Sequence, residues 1–341
     1  MTVCRSRAPV RIDFAGGTTD IPAVARRMGG AVLNAAISRY AYCTARTRED
    51  DAVEIRAEEL QISLRASSRA DLVYDGTLDL LKAAVHAVPV ETGVELRVRC
   101  EAPPGSGVGS SASVAVAVLG ALTELKRLRA GGERPSQRAL AEWAYQLDLT
   151  LGIVGGTQDQ YAAALGGLNF MEFGADEVQV TRVPVAPPVR LELEKHLVVC
   201  YSGEARFSSE SNATMIAAFE RGDPLVVGAM ERVKQVAGEL RACLEAGDLR
   251  DFGQLLDEET EARLKLFPGA LTPKMAALTE AAREAGALGA KVCGAGGGGC
   301  MLFWVAPDRD SAVSRALVGL GGQILDFVFD DAGVEVWEGR E

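Results

Sequence analysis

Residues 103–113 read Pro-Pro-Gly-Ser-Gly-Val-Gly-Ser-Ser-Ala-Ser, and no other stretch predicts more about this chain. Glycine lets successive backbone N–H groups point into one concavity, where they bind an anion. The small and apolar residues that follow predict a helix, whose positive dipole end faces the same point. Apolar and charged residues alternate over 94–101, which is typical of a half-buried strand. A strand, a glycine loop and a helix in this order predict a phosphate-binding site.

A tight turn between a strand and a buried helix is the alternative interpretation, since turns also use glycine. Three glycines followed by two serines favour the anion site, and a Cβ at Gly107 is expected to intrude on the phosphate. No lysine follows the glycines as a Walker A sequence requires, so the pattern argues against a P-loop fold. The expected helix has one apolar face, formed by Val114, Val118, Leu122 and Leu125.

A second glycine cluster, residues 294–299, satisfies the dinucleotide pattern G-x-G-x-x-G. That fingerprint needs a helix directly afterwards, whereas residues 300–305 form an apolar run typical of a buried strand. Thr272 and Pro273 predict the N-cap and first residue of a helix that ends near Gly286. The cluster is therefore expected to be a loop between a helix and a strand, not a Rossmann site. A pair of strands is expected at the end of the chain.

Composition excludes several classes of protein. With 341 residues, 48% of them hydrophobic, the chain suits two medium domains or one large one; we predict two, at 1–185 and 186–341. A net charge of −11 argues against nucleic acid as a partner. No apolar stretch is long enough for a membrane span, and the N-terminus lacks a signal-peptide core. We also consider a homodimer as the oligomeric state.

Cysteine and histidine usage narrows the chemistry. Seven scattered cysteines without a C-x-x-C pair argue against a disulfide framework or a zinc site, and favour a cytoplasmic location. Only two histidines occur, and neither lies beside a glycine loop. A general base is therefore expected to be a carboxylate.

Two further segments place polar groups beside glycines. Residues 8–20 contain Arg11, which could equally lie at a solvated strand edge, and Asp20, which could simply cap a turn. Residues 155–167 contain Asp159 where a helix is expected to begin, so N-capping is its structural alternative. As a functional group, Asp159 would lie near the phosphate site and accept a proton from a substrate hydroxyl.

In order along the chain, residues 8–20, 103–113 and 291–300 resemble the three motifs of the GHMP kinases, named after galactokinase, homoserine kinase, mevalonate kinase and phosphomevalonate kinase. The resemblance implies an α+β fold of two domains, an N-terminal ribosomal-S5-like domain and a C-terminal ferredoxin-like domain. It also implies that ATP, with Mg²⁺, and the acceptor bind in the cleft between them.

The resemblance implies a role for each matching residue. Asp159 falls on the family's catalytic aspartate, and Arg11 on a cation beside it that would lower the pKa of Asp159 and keep it ionised. Ser110 or Ser111 would ligate Mg²⁺, with Asp148 near the second ligand position. The ATP-binding set is Pro104, Gly105, Ser106, Gly107, Val108, Gly109, Ser110, Ser111 and Ala112. The substrate-binding set is Gly16, Gly17, Thr18, Asp20, Arg206, Gly296 and Gly297.

Within the superfamily, the chain resembles the sugar kinases. Galactokinases have Glu-His where this chain has Gly17 and Thr18, which disfavours galactose, although Asp20 fits their sugar-binding aspartate. The segments at 15–22, 29–34, 158–163 and 201–208 look like those of bacterial heptose-phosphate kinases. That implies phosphorylation of the C1 hydroxyl of D-glycero-D-manno-heptose 7-phosphate.

Several alternatives stay open. Arg206 would hold the sugar phosphate as a guanidinium partner, or else form a surface salt bridge. Fucokinase domains share much of the pattern, so a kinase for free fucose is the second enzyme hypothesis. A non-catalytic sensor of ATP and sugar is the third, but it has no need of Asp159 and Arg11. Asp20 argues against a diphosphomevalonate decarboxylase.

Overall fold

The structure is a computed structural model that describes residues 1–175, 177–205 and 209–340. Its strands are β1 (Val3–Ala15), β2 (Gly30–Thr47), β3 (Val53–Ala57), β4 (Ile62–Ala66), β5 (Val94–Cys100), β6 (Leu168–Phe173), β7 (Val178–Arg182), β8 (Leu197–Tyr201), β9 (Ala287–Val292), β10 (Cys300–Val305), β11 (Gln323–Ile324) and β12 (Glu335–Glu338). Its helices are α1 (Pro22–Met28), α2 (Asp79–Ala87), α3 (Ser110–Ala130), α4 (Gln137–Thr150), α5 (Gln158–Leu165), α6 (Pro187–His196), α7 (Ser209–Glu220), α8 (Pro224–Ala246), α9 (Phe252–Leu266), α10 (Pro273–Ala285) and α11 (Asp310–Gly319).

Eight strands form the first sheet, in the order β12-β1-β2-β5-β3-β4, with β6 beside β2 and β7 beside β6. The long strand β2 pairs with β1 along one edge and with two strands along the other, since residues 41–47 pair with β5 and residues 30–35 pair with β6. The predicted alternation over 94–101 is confirmed as β5. These pairings place the ends of β1 and β2 beside α3 and α5, where the glycine loop and Asp159 lie.

Helix α3 is buried on almost every side, not on one face alone. The residues from 112 to 125 are buried without interruption except Val114, which is partly buried. Small residues make this possible, because a Cβ at Gly120 would lie 2.9 Å from Val336 of β12. The helix therefore lies at the centre of the hydrophobic core that packs against the first sheet, and this packing holds its N-terminus in place.

The second sheet is antiparallel and four-stranded, in the order β11-β8-β10-β9. Every residue of β10 is buried, which confirms the buried strand predicted for residues 300–305. Helix α10 is also as predicted: it begins at Pro273, Thr272 Oγ1 accepts a hydrogen bond from the Met275 amide at 3.2 Å, and it ends before Gly286. The mixed sheets and helices confirm the α+β class.

Two expectations about the C-terminal half are wrong. The second glycine cluster joins β9 to β10, not a helix to a strand. The sequence of β9 does not have the pattern of a strand, because it contains a glycine that close packing requires. A Cβ at Gly289 would lie 2.1 Å from the carbonyl oxygen of Gly253 in α9. The two terminal strands do not pair with each other, since β11 joins β8 and β12 joins β1.

All seven cysteines are free thiols. Among the described residues, no helix combines the length and apolar character that crossing a bilayer requires. The division of the chain near residue 185 stays a prediction.

Candidate active site

The four glycine-bearing segments singled out in the sequence meet at one cleft of about 530 Å³. Strand β1, the start of α3, the loop between α4 and α5, and the β9–β10 loop form its walls. The lining residues are Arg11, Gly17, Thr18, Asp20, Ile21, Gly105, Gly107, Gly109, Ser110, Ser111, Ala112, Asp148, Ile153, Val154, Gly155, Gly156, Gln158, Asp159, Gln160, Cys293, Gly294, Ala295, Gly296 and Gly298.

The glycine loop adopts the backbone that an anion site requires. Gly105, Gly107 and Gly109 have φ angles of 69°, 75° and 76°, in the left-handed region that side chains disfavour. Helix α3 begins directly afterwards at Ser110, and both Ser110 and Ser111 line the cleft, so the N-terminus of the helix lies at its wall. These features favour the anion site over a simple turn.

Gly107 also lies against the second glycine loop. A Cβ there would lie 2.7 Å from the Cys293 carbonyl oxygen, so it would strike the β9–β10 loop; the expected clash with a phosphate stays a prediction. The Cys300 amide also donates to the Ser106 carbonyl oxygen at 2.7 Å. The two glycine loops are therefore packed together as one wall of the cleft.

Among the residues that the structure describes, only some of those expected to bind the nucleotide line the cleft. Gly105, Gly107, Gly109, Ser110, Ser111 and Ala112 line it, whereas Pro104, Ser106 and Val108 do not. Val108 is fully buried in the core. The Ser106 side chain is also buried, so both residues support the loop from behind.

Asp159 lies in the first turn of α5, but it does not cap the helix, whose N-cap is Thr157. Its Oδ1 accepts from Arg11 Nε at 2.7 Å and lies 2.6 Å from Arg11 Nη2. Arg11 is 4% exposed, so the solvated-edge alternative is wrong. Its Nη1 donates to the Gly107 carbonyl oxygen at 2.7 Å, which joins Asp159 to the glycine loop.

The pKa of Asp159 corrects a second expectation. Burial penalises the charged carboxylate and raises the pKa of Asp159 above its usual value, although Arg11 opposes that change. Asp159 is thus a more basic carboxylate than a solvent-exposed aspartate. A raised pKa makes it a better proton acceptor wherever it is ionised.

Asp148 lies in the last turn of α4 and faces the same cleft. Its Oδ2 accepts a hydrogen bond from Gln160 Nε2 at 2.7 Å. Burial, with a smaller contribution from the charge of Asp159, raises the pKa of Asp148 to about 6. The Gln160 Oε1 atom is buried and has no hydrogen-bond partner among the described residues.

These oxygen donors suit Mg²⁺. Within the described residues, no group of three or more acidic, histidine or cysteine side chains could hold a metal by itself. Mg²⁺ usually binds through one or two carboxylates together with phosphate oxygens and water. Asp148 and the hydroxyls of Ser110 and Ser111 face one cleft and can supply that partial set.

The segment of residues 16–20, here called the acceptor loop, is fixed by Asp20. Asp20 Oδ1 accepts from the Thr18 amide at 2.9 Å, and Oδ2 accepts from the Gln158 amide at 3.0 Å. Burial raises the pKa of Asp20 to about 6. The carboxylate bonds back to Thr18 within the loop, but the N-cap of α1 is Ile21, so Asp20 does not cap that helix.

Of the other residues expected to bind the substrate, some line the cleft and others lie behind its wall. Gly17, Thr18 and Gly296 line the cleft in the described structure, and Gly16 and Gly297 do not. Gly16 packs on the Ala31 carbonyl oxygen, which a Cβ would approach to 1.9 Å. The Gly297 amide donates to the Ala270 carbonyl oxygen at 2.6 Å. Arg206 lies outside the described residues.

A buried ionic network behind the cleft was not found from the sequence. Lys291 Nζ lies 3.0 Å from Asp13 Oδ2 and 3.7 Å from Glu259 Oε2, and all three side chains are fully buried. Asp13 Oδ1 also accepts from the Gly294 amide at 3.1 Å. Burial disfavours the charged Asp13, but Lys291, Arg11 and Arg263 together lower its pKa.

No local pattern signals this network, because its members lie on three separated segments. Asp13 lies between the apolar residues Ile12 and Phe14 of β1, and Glu259 is four residues before Arg263, a spacing typical of a solvated helix face. Lys291 is the first residue of the third motif, in which the glycines, and not the lysine, indicate a binding site.

Comparisons with known proteins agree with this geometry. The family model for the GHMP kinases N terminal domain matches residues 71–167, and that for GHMP kinases C terminal matches residues 240–320. The chain belongs to the GHMP kinase family, as its three motifs predicted.

Two relatives cover almost the whole chain. A D-glycero-alpha-D-manno-heptose 7-phosphate kinase of Campylobacter jejuni is 30% identical over 99% of each protein. The crystal structure of a D-glycero-D-manno-heptose 1-phosphate kinase from Bacteroides thetaiotaomicron aligns with a TM-score of 0.80 and 31% identity, over 99% of this chain and 100% of that one. An L-fucokinase/L-fucose-1-P guanylyltransferase of Bacteroides fragilis is 28% identical over 90% of this chain and 35% of its own length.

Proposed function

We propose that this protein transfers the γ-phosphoryl group of ATP to the C1 hydroxyl of D-glycero-D-manno-heptose 7-phosphate. The observation that carries the kinase chemistry is the pair Arg11–Asp159, which joins a partly buried carboxylate to the glycine loop at the start of α3. The choice of sugar rests on the similarity to heptose kinases over the whole chain.

The nucleotide phosphates are held by the loop of residues 105–112. Backbone N–H groups of the left-handed glycines and the first turn of α3 donate to phosphate oxygens, and the helix dipole favours their charge. Asp148 and the hydroxyls of Ser110 and Ser111 would hold Mg²⁺. When bound, that ion would neutralise charge on the transferring phosphoryl group.

Asp159 orients the acceptor hydroxyl and takes its proton. The acceptor oxygen forms a bond to the γ-phosphorus as the bond to the bridging oxygen breaks and ADP leaves, while the hydroxyl proton moves to Asp159. Arg11 fixes Oδ1 of Asp159, so the carboxylate keeps its position relative to the phosphate loop. Phosphoryl transfer depends mainly on such positioning.

Asp20 is positioned to accept hydrogen bonds from sugar hydroxyls. It is 3% exposed and lines the cleft together with Asp159. Carboxylates are strong acceptors for the several hydroxyls of a sugar. The charge of the acceptor phosphate needs a cation, and we assign this role to Arg206.

One observation favours a second candidate, a kinase for a free sugar such as fucose. Among the described lining residues, Arg11 is the only cationic side chain, and it is engaged by Asp159 and Gly107. A non-catalytic sensor has no need of the Arg11–Asp159 pair. We also place the protein in the cytoplasm, consistent with seven unpaired thiols, and the homodimer stays a prediction.

The test is ADP release by the purified protein with Mg-ATP and a panel of acceptors. The panel contains heptose 7-phosphate, mannose 6-phosphate, fucose, galactose and mevalonate, with Asp159→Asn as the background control. Turnover confined to the phosphorylated sugars supports the proposal, and turnover on fucose alone replaces it with the second candidate. Arg206→Gln separates the two further, because it should raise KM only for a phosphorylated acceptor.

A further inference from the structure

Arg263 connects the C-terminal half of the chain to the acceptor loop. It lies in the last turn of α9, and its side chain is 2% exposed. Its Nη1 donates to Thr18 Oγ1 at 3.1 Å, and its Nη2 donates to the Gly17 carbonyl oxygen at 3.2 Å. Both bonds end on residues that line the cleft.

Thr18 has a backbone that needs such support. Its φ is +87°, in the left-handed region that a β-branched residue rarely adopts. A conformation of this kind persists only where the surroundings hold it. Arg263 holds the side chain of Thr18 and the carbonyl before it, and Asp20 Oδ1 accepts from the Thr18 amide at 2.9 Å.

The guanidinium of Arg263 is itself fixed. Its Nε donates to Glu259 Oε1 at 3.1 Å, its Nη2 also contacts that oxygen, and Glu259 is completely buried. Burying two charges costs solvation that an apolar pair would not lose. The two bonds to the acceptor loop supply a reason for an arginine at this position, because its planar fork can bind Glu259 and the loop together.

The support extends to the reacting groups. Asp20, held beside Thr18, accepts from the Gln158 amide at 3.0 Å, and Gln158 directly precedes Asp159. We infer that Arg263 is a positioning residue for the acceptor: it holds Thr18 in its left-handed conformation and thereby keeps Asp20 directed at the sugar. This inference rests on the proposed kinase function for its kinetic consequence, but not for its structural one.

The first experiment is Arg263→Lys, which keeps a cation beside Glu259 and removes the fork. KM for the acceptor should rise about tenfold, the effect of losing a hydrogen bond from a charged group, while Kd for ATP stays unchanged. Arg127→Lys is the matched control, since Arg127 pairs with the buried Glu124 about 25 Å along α3 from the cleft end. The control should leave KM unchanged.

A second substitution tests the route through Thr18. Glycine adopts the left-handed backbone without strain, so Thr18→Gly should make the acceptor KM less sensitive to Arg263→Lys. An equal fold-change in both backgrounds would overturn the assigned route. A loss of thermal stability in Arg263→Lys without a change in KM would show a merely structural arginine and would also overturn the inference.

Hydrogen exchange of residues 16–21 gives a result that does not depend on turnover. Amide exchange in this segment should accelerate in Arg263→Lys and stay unchanged in Arg127→Lys. Unaltered protection would contradict the inference. If the wild-type protein phosphorylates none of the panel, the proposed function fails, and the exchange measurement still decides the role of Arg263.

Discussion

Arg11 binds Asp159 and the glycine loop with one guanidinium group: its Nε lies 2.7 Å from Asp159 Oδ1, and its Nη1 lies 2.7 Å from the Gly107 carbonyl oxygen. The proposed base and the proposed phosphate site are therefore parts of one rigid unit. Because Arg11 is 4% exposed, water does not compete strongly for these bonds. We therefore expect the distance between the acceptor oxygen and the γ-phosphorus to depend on this connection.

Asp159→Asn should lower kcat by about 10²–10⁴, the usual loss when a general base is removed, while Kd for ATP stays near the wild-type value. The amide keeps the size of the side chain but cannot take the proton. Steady-state kinetics and nucleotide titration measure the two quantities. Asp50→Asn, at an exposed ion pair with Arg48, is the control. Normal turnover by Asp159→Asn would remove Asp159 from its assigned role.

Arg11→Gln should move the acid limb of the kcat–pH profile to higher pH. Arg11 opposes the rise that burial causes in the pKa of Asp159, so its loss raises that pKa further. The base is active only when ionised, and it then needs a higher pH. Arg11→Lys keeps the positive charge and should move the limb less. A limb that stays in place or moves to lower pH in Arg11→Gln would contradict this account.

The raised pKa of Asp20 predicts that the stability of the protein also depends on pH. Its pKa of about 6 in the folded protein exceeds that of an unfolded aspartate, so the folded state binds more protons between about pH 4 and 6. The contribution of Asp20 to the free energy of unfolding is therefore fully present below about pH 4. It is lost as the pH rises through 6, and the loss is up to about 3 kcal/mol.

Denaturant unfolding of wild type and Asp20→Asn at several pH values measures this contribution. The free energy of unfolding should fall less steeply between pH 4 and 6 in the variant than in the wild type. In kinetics, KM for the acceptor should rise below about pH 6 in the wild type, because a protonated Asp20 accepts fewer hydrogen bonds. Parallel stability curves for the two proteins would refute the assignment.

The sequence predicts the parts of the site whose signal is local. The three glycines of residues 105–109 followed by Ser110 and Ser111 suffice to predict the loop, and Asp159 lies where the sequence predicts the start of a helix. Lys291, Asp13, Glu259 and Arg263 could not be predicted in this way. Their partners lie on other segments, and a charged residue in a strand or on a helix is ordinarily solvated.

The structure also changes the physical argument for residues that the sequence predicts. Asp159 was expected to have a low pKa beside Arg11, but burial outweighs the cation, and burial cannot be derived from neighbours in sequence. Strand β9 was missed because its glycine and alanine residues are selected for close packing on α9 rather than for strand propensity.

Asp148→Asn should weaken the Mg²⁺ dependence of ATP binding. Asp148 lines the same cleft as Ser110 and Ser111, and an amide is a poorer ligand for Mg²⁺ than a carboxylate. The Mg²⁺ concentration for half-maximal ATP binding should rise about tenfold or more, as for loss of one metal ligand or its partner. Gln160→Leu, which removes the 2.7 Å bond to Asp148, should give a smaller rise. An unchanged Mg²⁺ requirement in Asp148→Asn would exclude it as a ligand.

Gly109→Ala tests the contact between the glycine loop and the base. Gly109 precedes α3 at φ +76°, and a Cβ there would lie 3.3 Å from Cγ and Oδ2 of Asp159. Gly131 follows the same helix at φ +78°, and a Cβ there would meet nothing within 4 Å. Both alanine variants should lose about 1–2 kcal/mol of stability from left-handed strain.

Only Gly109→Ala should also displace Asp159, so its kcat should fall at least about tenfold, since small misplacements of reacting groups are costly. Gly131→Ala should keep the wild-type kcat. Denaturant unfolding and steady-state kinetics on the pair separate strain from contact. Equal kcat values in the two variants would mean that Asp159 tolerates the added methyl group, and that the loop does not fix the base.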